Sequence, residues 1–164
     1  MSQRWRVYSG TGGALLLAFL TAPGGAQGPG LTAADQRDPL ALARAVDRVG
    51  EDAVLASLAG ESVAEQLAAT RGAPFLPAPD LSLPRLVELA AGRDPHVAPA
   101  AAQRVVAIAR GLRVDDLSAE GRESLPAVRE ALAGLAADGT AREDVRRAAA
   151  IAGLELASLY PPSE

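Results

Sequence analysis

The sequence predicts an all-α domain made of helix hairpins stacked side by side, a short α-solenoid. Three observations lead there. First, residues 83–112 hold two apolar-periodic segments around the turn Gly92-Arg93-Asp94-Pro95: Leu83, Leu86, Val87 and Ala90 before it, Val97, Ala101, Val105 and Ile108 after it. Second, a lone hairpin of this kind cannot bury both of its apolar faces, so it needs neighbours like itself. Third, the segment can be laid over two others. Leu55 and Leu58 precede Val63 and Leu67; Leu86 and Leu89 precede Val97, Ala101 and Val105; Leu132 and Leu135 precede Val145, Ala149 and Ala152. Each first helix carries a Leu pair three apart near its end, and the extra length between hairpins falls in loops.

Taken in order, residues 1–26 read as a secretory signal peptide. Arg4 and Arg6 form a positive start, Ala14 to Leu20 an apolar run, and Gly24-Gly25-Ala26 a small-residue cleavage site. The apolar run is far short of the roughly 20 residues that span a bilayer, so no stable membrane insertion is expected once it is removed. Residues 27–37 read as a flexible linker. Asp38-Pro39 is an N-cap and first helical position for a helix to Val49, with Leu42, Val46 and Val49 on one face. A short helix follows from Asp52 to Ala59. Ser62 and Glu65 have capping-box spacing for a helix ending near Gly72.

The Pro-rich stretch Pro74 to Asp80 is expected to be an extended, non-helical connector. In the hairpin at 83–112, Gly92 suits a left-handed helix end and Asp94-Pro95 a new helix start. Pro99 conflicts with a start at Pro95, so the second helix begins nearer Val97 or opens irregularly. Residues 113–122 read as an acidic polar loop with at most one helical turn. Ser124-Leu125-Pro126 opens a helix ending at Asp138-Gly139. Thr140 and Glu143 have capping-box spacing for the last helix, whose stripe is Val145, Ala149, Ala152, Leu156 and Leu159. The helical domain thus covers residues 38–160, and residues 161–164 form a tail.

Composition removes several chemistries. The 164 residues contain no Cys, which excludes a disulfide framework, a thiolate nucleophile and Cys-ligated metal. The one His, His96, excludes a histidine metal cluster. Aromatic residues are few, so the core is Leu, Val and Ala. Without residues 1–26 the chain has 14 Arg against 20 acids, a formal charge of −6. That charge argues against nucleic acid and anionic membrane surfaces as partners.

The hairpins resemble HEAT-type helical repeats, whose second helix tends to open with Val-Arg and then alanines. Val145-Arg146-Arg147-Ala148-Ala149-Ala150 carries this pattern, Val97-Ala98-Pro99-Ala100-Ala101-Ala102 has the alanines without the Arg, and Val63-Ala64-Glu65-Gln66-Leu67-Ala68-Ala69 follows it loosely. The resemblance spans residues 51–160. It implies a right-handed solenoid of about three hairpins, capped by its terminal helices, with a protein-interaction surface usually on the concave side.

No other motif carries a reaction. His96 with Asp94 and a hydroxyl brought in by folding is the one arrangement that would make a hydrolase or lyase. No G-x-S-x-G elbow supports it, and a helix start disfavours the imidazolium. Asp115-Asp116 are adjacent rather than alternate, so a calcium loop fails its register. Arg146 is expected to bridge to an acid such as Asp138 or Asp144, or to one on the neighbouring hairpin. The sequence therefore leads to no catalytic, cofactor or metal residues, and to an exported, periplasmic or extracellular scaffold or adaptor with a protein partner. A groove-holding chaperone or inhibitor is the second reading, and an enzyme using His96 the third.

Overall fold

A computed structural model describes Leu31 and residues 38–159. The expected signal peptide, most of the expected linker, and residues 160–164 lie outside the described residues. Among the described residues are seven α-helices and no strand: α1 (Pro39–Val49), α2 (Glu51–Ala59), α3 (Val63–Gly72), α4 (Leu83–Ala91), α5 (Val97–Gly111), α6 (Ala119–Ala137) and α7 (Glu143–Leu159). The chain is all-α, as its periodicity predicts.

Helix starts follow local chemistry. The Asp38 carboxylate accepts the Leu40 amide at 3.1 Å and Pro39 takes the first helical position, where no amide is needed. α1 and α2 are separated by Gly50 alone. Its φ of +90° is the one positive value among the described residues, and a side chain there would be strained. Ser62 Oγ accepts the Glu65 amide at 3.4 Å. The return half of that capping box is not formed; Gln66 donates instead to the Gly60 carbonyl at 2.6 Å.

Several local expectations are corrected. The connector is not simply extended: Ala73–Phe75 and Pro79–Ser82 are 3₁₀ turns, because a proline early in such a turn gives up an amide that would have no partner. Gly92 is extended at φ −68°, ψ 170°, not left-handed, and its amide closes the last turn of α4 on the Leu89 carbonyl at 3.1 Å. α5 begins at Val97, so Pro99 is its third residue and costs no hydrogen bond. α6 begins at Ala119 rather than Ser124, which places Pro126 inside it. Thr140 does not cap α7, which starts at Glu143.

The helices pack in successive pairs, α2 with α3, α4 with α5 and α6 with α7, and each pair touches the next through alternate helices. α4 touches α2, α5 and α6, while α5 touches α3, α4 and α7; the most extensive interfaces are α5 with α7, α6 with α7 and α4 with α5. α1 rests on α2 and α3 at the amino-terminal end. One continuous core results, running from Leu42 and Val46 through Leu58, Leu86 and Val105 to Leu132 and Leu156. Val97, Val145 and Ala149 are buried in it. Ala101 on α5 and Ala152 on α7 are 0% exposed, and such small side chains let helices approach at the short end of the roughly 8–10 Å range. α3 departs from its expected face. Val63 is 41% exposed, and Ala68, Ala69 and Thr70 are buried instead. Leu31, from the stretch read as linker, is half-buried against the core beside Gly72.

Candidate functional site

The turns after α4 and α6 are the polar places where backbone and side chains converge. In the first, Asp94 Oδ1 accepts the amides of both His96 and Val97 at 2.9 Å. Those two bonds, Val97 first, hold its carboxyl below the usual aspartate range. His96 is exposed, and only its backbone amide bonds to Asp94; its imidazole makes no hydrogen bond among the described residues.

The second turn is built the same way. Asp138 Oδ1 accepts the Thr140 hydroxyl at 2.7 Å and the Thr140 amide at 2.8 Å, and these bonds hold its carboxyl below the usual aspartate range too. The Thr140 hydroxyl serves this turn rather than the start of α7. Two residues on, Arg142 grips Asp144 with two bonds of 3.0 Å. That fork raises the Arg142 value and lowers that of Asp144. Arg142, not Arg146, is thus the partner of Asp144. Arg146 is half-buried, with its Nε enclosed and unpartnered, and its charge adds only a small favourable field at Asp138. Arg147 pairs with Glu143 at 2.7 Å on the open surface, where such pairs contribute little.

The two turns lie side by side and enclose a cleft of about 560 Å³. Ala90, Ala98 and Val145 line its apolar part; Arg93, Asp94, Asp138, Thr140 and Arg142 supply the polar groups. Each carboxylate commits one oxygen to its own turn. Arg93 is exposed and forms no ion pair among the described residues. The cleft therefore offers one unpaired guanidinium, two ionised carboxylates and a hydroxyl already engaged. This set can hold a polar, mixed-charge surface. Among the described residues no group of His, Asp and Glu is arranged to hold a metal ion, and Asp115 and Asp116 are exposed at the 3₁₀ turn Val114–Asp116.

The depressed carboxyls of Asp94 and Asp138 set a pH dependence. A group whose folded value is lowered stabilises fully above its unfolded value, and that contribution is lost as pH falls through the folded one. The window is therefore below about pH 4. We expect Asp94→Asn with Asp138→Asn to flatten the fall of Tm between about pH 4 and pH 2. Parallel Tm curves for the wild type and the double variant would refute the assignment.

A second cluster was not legible in the sequence. Asp80, in the 3₁₀ turn before α4, is 1% exposed. Its Oδ2 accepts the Ser118 amide at 2.8 Å and the Ser118 hydroxyl at 2.7 Å, while Ser118 Oγ accepts the Gly121 amide at 2.9 Å. Asp80 Oδ1 is buried without a partner. Gly121 packs so closely that a Cβ would collide with the Asp80 carboxylate. This anchor fixes the start of α6, and a carboxylate beside a helix N-terminus is favoured by the dipole. The Ser118-x-x-Gly121 spacing is a local cue for an N-cap; the part played by Asp80, 38 residues earlier, has no local cue.

Comparison with known proteins finds no matching family model, no matching curated protein and no matching solved structure.

Proposed function

We propose that the chain is an exported, non-catalytic helical-repeat protein that works as a protein-interaction scaffold or adaptor in the bacterial envelope. In this reading α2–α3, α4–α5 and α6–α7 are HEAT-like hairpins of a short right-handed solenoid, with α1 as its amino-terminal cap. The observation that carries it is the order of contacts: α5 lies between α3 and α7, and α4 between α2 and α6, each pair covering the next. Export rests on the pattern of Arg4, Arg6, the apolar run 14–20 and the small residues 24–26.

Two further observations favour a scaffold over its alternatives. Among the described residues, the exposed large apolar side chains, Leu40, Val63, Phe75, Val114 and Leu154, come from five different elements, which favours a scaffold over a chaperone with one apolar strip. The exposed imidazole of His96 offers nothing to a hydrolase or lyase reading. The mixed-charge cleft between the two turns suits a partner's polar surface, with Arg93 free to meet a carboxylate.

The test uses the full-length gene expressed in a bacterial host. Export predicts a secreted product whose amino terminus is Gln27. Crosslinking in the envelope fraction should then trap a protein partner on the wild type, with at least tenfold less on Arg93→Glu/Arg142→Glu at equal helix content. A product that retains Met1 in the cytoplasm, or turnover of a test substrate with no trapped partner, would overturn the proposal.

A further inference from the structure

Among the described residues, nothing packs on the outer face of the last hairpin. α6 and α7 present Pro126, Arg129, Glu130, Ala133, Ala136, Ala150 and Gly153 around a groove of about 500 Å³, and Leu154 stands on its rim. Leu154 is 73% exposed, more than any other large apolar residue among those described. It lies on the opposite side of α7 from Val145, Ala149, Ala152 and Leu156, which are buried. Gly153 leaves the groove shallow-walled: a Cβ there would meet only the Leu132 Cβ, at 4.0 Å.

We infer that this end face mates with the same face of a second copy across a two-fold axis. Goingbeyond the adaptor reading, the inference rests on what the patch contains. A two-fold interface must be self-complementary, since each residue meets a different residue of the identical patch. Here a protrusion, Leu154, and a small-residue hollow, Ala133, Ala150 and Gly153, share one face. The rim carries both signs of charge at adjacent positions, Arg129 and Glu130, so the axis can set each against its opposite on the other copy. A partner of unrelated sequence would need neither feature to be paired with its complement.

Size sets the strength. At about 1.5 Å per residue and about 10 Å of helix diameter, the α6–α7 face is about 25 Å by 20 Å. Two such faces bury about 1,000 Å², the lower bound of specific interfaces. A face of that size is at the low end for specific association, so a weak dimer is expected.

Sedimentation of the protein purified from cells expressing the full chain, over about 1 µM to 1 mM, tests this. The wild type should pass from monomer to dimer across that range. Leu154→Arg should raise the dissociation constant at least tenfold, and Leu40→Arg, on the far end of the stack, should leave it unchanged. Arg129→Glu and Glu130→Arg should each weaken the dimer about threefold, and the double exchange should restore it. A wild type that stays monomeric throughout would overturn the inference. So would a dimer indifferent to Leu154→Arg, or a double exchange no better than the single ones. Circular dichroism confirms that each variant is folded.

Discussion

Gly121→Ala is expected to destabilise the protein by about 3 kcal/mol or more, measured by urea unfolding, because the new methyl occupies the space of the Asp80 carboxylate. Asp80 is enclosed and already bonded to the Ser118 amide and hydroxyl, so it can retreat only by losing both. Gly134, in the same helix, is the control. Nothing lies within 4 Å of a Cβ placed there, and alanine should stabilise by about 0.5–1 kcal/mol through helix propensity. Two glycine-to-alanine changes in one helix should thus have opposite signs. Adding Asp80→Ala to Gly121→Ala should cost much less than the two single losses together, since the clash disappears with the carboxylate. Simple additivity would show that the anchor is not under the steric tension assigned to it.

Leu86→Ala is expected to cost about 2–5 kcal/mol, against under about 0.5 kcal/mol for Leu40→Ala. Leu86 is 0% exposed on α4, the helix that meets α2, α5 and α6, whereas Leu40 is 59% exposed on α1. Because the core is continuous across all the helices, the loss should lower the denaturation midpoint without changing the slope. An altered slope or a split transition would mean that the carboxy-terminal pair holds together independently of the rest.

Much of the helical layout was readable from spacing. The stripes on α1, α4, α5 and α7 name buried residues except at Val49 and Leu159, which are half-buried at the helix ends, since an apolar residue every three or four positions has only one way to leave water. Three caps with partners two or three residues away were also readable, at Asp38, Ser62 and Asp94, whereas the one expected at Thr140 is not formed. What escaped depended on distant partners. Ser124-Leu125-Pro126 looked like a helix start because proline favours one, yet Asp80 reaches Ser118 and α6 starts five residues sooner, at Ala119. Arg146 was expected to bridge an acid nearby, but Arg142 lies better placed for a planar fork on Asp144. The cleft was half legible: Asp94 and Asp138 could be named from the sequence, their approach across two turns could not.

Pro126 carries a mechanical consequence. It is the eighth residue of α6 and has no amide hydrogen, so the carbonyl of Arg122 goes without its usual partner in the ladder. One rung is missing just past the segment that Asp80 and Ser118 pin down, while the longer remainder of the rod is clamped by α7. Under thermal agitation or load, α6 should therefore crease at this gap first, letting the last hairpin nod relative to the others like a page turning on its fold.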